Sequence, residues 1–138
     1  MAMMPRWTLG IVAATTIFLA GCASPERASR GVVRFADGDP VRSGTIELRS
    51  TDDGDRYTGP IDRDGRFELT DASGGRGCPP GRYEVVIVQI VLTDQLALKD
   101  HTHGSTVPRR YADYYTSGLR VDVADSVDDE IKVVLEKG

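Results

Sequence analysis

From Gly31 onward, apolar and polar residues alternate in short runs. Val33 and Phe35 flank Arg34, Ile46 and Leu48 flank Glu47, and Phe67 and Leu69 flank Glu68. Leu119, Val121 and Val123 interleave with Arg120 and Asp122, and Ile131, Val133 and Leu135 are spaced the same way. Side chains two apart on an extended backbone share a face, so each run predicts a strand with one side on a core. Tyr83–Leu92, "YEVVIVQIVL", is apolar almost throughout and predicts a central strand covered on both sides. The runs are separated by "ADGDP" at 36–40, "DDGD" at 52–55, "DRDG" at 62–65 and "PPG" at 79–81. Gly, Asp and Pro are the residues tight turns require. The pattern predicts an all-β domain, a seven-stranded β-sandwich with Greek-key connections. No helical period is sustained.

Thr93–Gly118 departs from this pattern. Its 26 residues hold no clear strand but both histidines and three of the five tyrosines. Loops of that length in compact domains are often functional.

The N-terminus follows a third pattern. Trp7–Ala20 carries no charge over 14 residues, Arg6 precedes it, and small residues end it before Cys22. A membrane-crossing helix needs about 20 apolar residues. This run is shorter and has the layout of a secretory leader: a positive start, an apolar middle and a small-residue cleavage site. "ASPERASR", 23–30, then reads as a polar tether of at most about 27 Å. Residues 1–21 are thus expected as the leader, 22–30 as cysteine and tether, and 31–138 as the domain.

Composition narrows the function. The chain has 138 residues, enough for one core, and a net charge of −4. No basic cluster exceeds Arg109-Arg110, so the positive footprint of a nucleic-acid binder is missing. There are two cysteines, Cys22 and Cys78, which in an exported chain would ordinarily suggest one disulfide.

Two resemblances sharpen this reading. Leu19-Ala20-Gly21-Cys22 resembles the lipobox of bacterial lipoproteins. That likeness implies cleavage between Gly21 and Cys22, lipid on the Cys22 sulfur, and Cys78 left as a lone thiol. It also implies a membrane-held protein of the cell envelope. Ala23, a non-acidic residue after the cysteine, is similar to the outer-membrane type. The second likeness runs through the domain. Asp37-Gly38-Asp39-Pro40, Thr45–Leu48, "DRDGRFEL" at 62–69 and "PGRYEV" at 80–85 resemble, in order, the carboxypeptidase regulatory-like domain, a transthyretin-like sandwich. Val107–Val123, "VPRRYADYYTSGLRVDV", is similar to a stretch of small planctomycete lipoproteins of this kind. In these motifs Gly65, Phe67, Gly81 and Tyr83 read as determinants of the fold.

Candidate chemistry is sparse. His101 and His103 project the same way on an extended backbone and could share a metal, but the sequence nominates only Asp100 beside them. Tyr57 and Tyr83 precede that pair in the order of the iron ligands of intradiol dioxygenases, which share a sandwich of this type; the family's Arg-Pro context is absent. The ending "VVLEKG" lacks the Tyr-Arg-Gly-Ser terminus of hydroxyisourate hydrolases. Neither "TDDGD" nor "DRDG" has a full calcium-loop spacing. Arg109, Arg110, Tyr111, Tyr114 and Tyr115 form an aromatic-basic patch, residue types favoured at binding hot spots. The plainer alternative has Tyr111 capping the open end of the sandwich, with Tyr114 and Tyr115 half exposed. The expectation is therefore a non-enzymatic, lipid-anchored envelope module with no cofactor, its partners the membrane and an envelope protein or polysaccharide. A metal-dependent enzyme using His101 and His103, and a polysaccharide-recognition accessory using the 93–118 loop, are the alternatives.

Overall fold

The computed structural model describes residue 3 and residues 27–90, 105–125 and 129–138. Among these, eight strands form two sheets: β1 (Arg30–Phe35), β2 (Thr45–Ser50), β3 (Arg56–Pro60), β4 (Arg66–Glu68), β5 (Thr70–Asp71), β6 (Gly81–Val88), β7 (Leu119–Val123) and β8 (Ile131–Leu135). One sheet has the order β4-β1-β8, the other β5-β3-β2-β6-β7. The β1–β8 pair is parallel and all others are antiparallel.

The period-two pattern sets which side chains enter the core. Val33 and Phe35 on β1 and Ile131, Val133 and Leu135 on β8 point inward from the smaller sheet. They meet Ile46 and Leu48 of β2 and Tyr83, Val85 and Ile87 of β6 in one buried cluster. Register holds them in rows: Leu48 lies between Tyr57 and Val85, and Ile46 between Gly59 and Ile87. Each fully buried Leu, Ile or Phe contributes about 2 kcal/mol relative to exposure. The result is sandwich-like and all-β, as the alternation predicts.

The turns form through the carboxylates in them. Asp62 Oδ1 accepts the backbone N–H of Asp64 and of Arg66, at 2.8 and 2.9 Å. Gly65 then takes φ +78°, and its carbonyl accepts the Val33 N–H at 2.7 Å, stitching the turn to β1. A Cβ there would stand 2.5 Å from the Val33 carbonyl oxygen, so both conformation and space select glycine.

Four expectations are corrected. There are eight described strands where seven were expected: the six apolar runs named above each hold a strand, and β3 and β5 pair beside them without alternating strongly. The central strand ends at Val88 rather than Leu92. There the Gln89 side chain leaves the ladder: its Nε2 donates to Ser43 and its Oε1 accepts the Val107 N–H. Cover on the outer side of β6 is also partial, since Val86 is buried while Val88 is 43% exposed. Finally, the last four residues of the expected tether belong to the fold: Ala28 is a core residue bridged to Cys78, and the Ser29 carbonyl accepts the Leu69 N–H.

Candidate functional site

The 105–118 segment is built by local polar contacts. Pro108 starts a 3-10 turn over Arg109–Ala112. Asp113 Oδ1 then accepts the Tyr115 N–H at 2.8 Å, capping a one-turn helix, α1 (Tyr114–Ser117), which Gly118 ends in the left-handed region. The Ser117 hydroxyl donates to the Val85 carbonyl and pins the helix to β6.

This arrangement divides the aromatic-basic patch into three. Tyr111 is buried in the core cluster, and its hydroxyl accepts the Glu136 N–H at 3.0 Å. Arg110 donates to the same hydroxyl and to the Glu136 carbonyl, with its guanidinium 4.5 Å over the Tyr111 ring. Tyr111 thus clasps the end of the sandwich, while Tyr115, expected in the plainer alternative to be half exposed, is fully exposed. Tyr114 lies on the outer face of the larger sheet. Its hydroxyl donates to Glu47 Oε1 at 2.8 Å, and the Arg49 guanidinium sits 3.8 Å above its ring. Burial, then the bond to Glu47, pushes the Tyr114 phenol well above its ordinary range. Tyr115 is 98% exposed and Arg109 faces solvent.

Around Tyr114 the sheet face is a closed network of charges. Arg49 pairs with Glu84 at 2.6 Å, Arg56 approaches Glu47 at 3.7 Å, and Arg120 approaches Glu84 at 3.9 Å. The charges and the tyrosine hydroxyl of this face are thus matched to one another, with the Arg49 guanidinium stacked on the ring. Glu47, Arg49 and Glu84 were not singled out in the sequence. Each occupies the polar position of an alternating strand, and only the β2–β6 register, Glu47 opposite Val86 and Arg49 opposite Glu84, brings them beneath Tyr114.

The other candidates divide between packing and turns. Tyr57 and Tyr83 face inward with rings edge to face at 5.8 Å, and the Tyr83 hydroxyl donates to the Pro79 carbonyl. Burial raises both phenols. Cys78 is fully buried; burial pushes its thiol up to about 11, against a weaker pull from the Tyr83 hydroxyl. A thiol held neutral in this way is a packing group rather than a nucleophile. In the acidic turns, Asp53 accepts the Asp55 N–H and Asp62 those of Asp64 and Arg66, so these carboxylates serve the turns. Gly21, Cys22, His101 and His103 lie outside the described residues.

Comparisons with protein-family models, with curated proteins and with solved structures return no significant match to this chain.

Proposed function

We propose that this protein is a bacterial envelope lipoprotein whose transthyretin-like, carboxypeptidase regulatory-like sandwich serves as a non-catalytic binding or structural module. The observation that carries the reading is the spacing at the N-terminus. The lipobox-like Leu19-Ala20-Gly21-Cys22 ends only five residues before Arg27, where the chain joins the fold: Arg27 pairs with Asp71 at 3.2 Å and Ala28 enters the core. A leader followed at once by a folded body fits a domain held against the membrane by lipid on Cys22. Lipid there contributes about 0.8 kcal/mol per buried methylene, and more than one chain makes attachment stable.

The test is mass spectrometry of the full chain made in a bacterial host. An N-terminal, acylated Cys22 in the membrane fraction, lost in Cys22→Ser, is the expected result. An unmodified thiol, or maturation of Cys22→Ser as before, overturns the reading.

A second reading rests on Tyr115, a fully exposed aromatic next in sequence to Tyr114: the module recognises polysaccharide through the 93–118 loop. Aromatic rings can stack on sugar faces while the Glu47–Arg49–Glu84 network supplies donors and acceptors. Glycan binding that survives Tyr114→Ala with Tyr115→Ala rules it out.

A further inference from the structure

The two outer sheet faces treat their cations in opposite ways. On the larger sheet, Arg49, Arg56, Arg82 and Arg120 each stand within 4 Å of a carboxylate. On the smaller sheet, Arg30 and Arg34 of β1, Arg66 of β4 and Lys132 of β8 are all exposed. Among the described residues, none of these four has a carboxylate at ion-pair distance. Register gathers them closely: Val32 lies between Arg66 and Lys132, and Arg34 beside Val134. Glu68, the acid opposite Arg30, is taken by Arg76; Glu130 and Glu136 flank the two ends of β8. Arg34 also donates to the Gly38 carbonyl, which leaves its charge uncompensated. A chain of net charge −4 thus carries, on one sheet face around the 56%-exposed Val134, four cations without an ion-pair partner among the described residues.

We infer that this β4-β1-β8 face docks on the anionic headgroup surface of a membrane, with Arg30, Arg34, Arg66 and Lys132 against lipid phosphates. The inference rests on the lipid-anchor reading and adds an orientation to it. The leash is attached at the correct place. Arg27 and Ala28 are fixed to Asp71 and Cys78, so five residue steps separate Cys22 from the fold, at most about 18 Å of chain. The fixed point leads directly into β1, the middle strand of this sheet. A body held that closely has its basic face within reach of the headgroups. Lys and Arg near an anionic leaflet are attracted within about one Debye length, about 10 Å at 0.1 M salt.

The experiment uses the full chain, acylated in a bacterial host and reconstituted into vesicles of phosphatidylcholine, with or without one part in about three of phosphatidylglycerol. A fluorophore is placed on Val134→Cys, or on Tyr115→Cys as the control away from this face; acylated Cys22 and buried Cys78 leave the new thiol as the labelling point. Quenching is read from a lipid with a headgroup spin label. The expected result is strong quenching at position 134 in anionic vesicles and little at 115. Raising salt towards about 1 M, where the Debye length is about 3 Å, should abolish the difference. So should Arg30→Gln, Arg34→Gln, Arg66→Gln and Lys132→Gln together, each removing roughly fivefold from the docked-to-undocked ratio. Arg30→Lys, Arg34→Lys and Arg66→Lys together should retain it. Chain that floats with vesicles but shows equal quenching at 134 and 115, or quenching indifferent to lipid charge, overturns the docked face alone. Chain that fails to float with either vesicle overturns the anchor reading, and the docking with it.

Discussion

Tyr114 and Glu47 are 67 residues apart in sequence, and the phenol donates to the carboxylate at 2.8 Å across the outer face of the larger sheet. The bond ties the one-turn helix to β2, while Ser117 ties it to β6. Tyr114→Phe should lower unfolding free energy by about 1 kcal/mol, and Glu47→Gln should cost less in a Tyr114→Phe background than alone. Urea denaturation of the two single variants and the double variant measures the coupling. Strict additivity would show the two groups to be independent.

At the sandwich end, Tyr111→Phe removes the acceptor for the Glu136 N–H and for Arg110 while keeping the ring. A loss of about 1 kcal/mol is expected. Faster hydrogen exchange at Glu136 should accompany it, because that amide loses its protein partner. Unchanged exchange would exclude the clasp. Tyr115→Ala, at a fully exposed position, should change stability by less than about 0.5 kcal/mol.

Cys78 makes the fold sensitive to alkali. Burial lifts its thiol from 9.0 to about 11, and burial lifts the adjoining Tyr83 phenol as well. The protonated thiol is what the core accepts. Its contribution is whole below about pH 9, where the unfolded thiol is also protonated, and is lost as pH rises through about 11. Over that window stability should fall by about 3 kcal/mol. Urea midpoints at about pH 8 and pH 11 test this, and Cys78→Ala should flatten part of the slope. Native protein at neutral pH should also resist thiol alkylation at Cys78 until urea opens the core.

Two glycines separate conformational cost from steric cost. Gly38, at φ +92°, has nothing within 4 Å of an added Cβ, so Gly38→Ala should cost about 1 kcal/mol, the strain of the left-handed region alone. Gly65→Ala adds the 2.5 Å collision with the Val33 carbonyl and should cost at least about 2 kcal/mol more. Equal thermal midpoints for the two variants would refute this.

These contacts also explain what the sequence displays and what it conceals. β1, β2, β4, β7 and β8 are visible as alternating runs because each has one face on the core. β3, "RYTGP", is not: only Tyr57 among its residues is a large apolar group, and its other inward position, Gly59, has no room for a side chain, since the Glu68 carbonyl would stand 2.3 Å from any Cβ there. β5 has two residues and exists only as a partner to Tyr57 and Thr58. The helix at Tyr114–Ser117 is too short for a period, although its capping signals, Asp113 and Gly118, are in the sequence. The site around Tyr114 is legible by residue type but not by grouping. Tyr111, Tyr114 and Tyr115 are close in sequence yet face the sandwich end, the sheet and solvent. Their real neighbours are Glu47 and Arg49 of β2 and Glu136 just past β8, 25 to 67 residues distant, and only the folded register brings them together.

The parallel pairing of β1 with β8 joins the earliest described strand to the latest, Gly31 opposite Ile131 and Phe35 opposite Leu135. The smaller sheet therefore cannot be completed until Ile131–Leu135 is free to pair, about 100 residues after β1, and contacts of such long range make for slow closure. During synthesis the smaller sheet would stay open until β8 arrived, whatever the larger sheet had already formed. The β8 strand would then act as the latch.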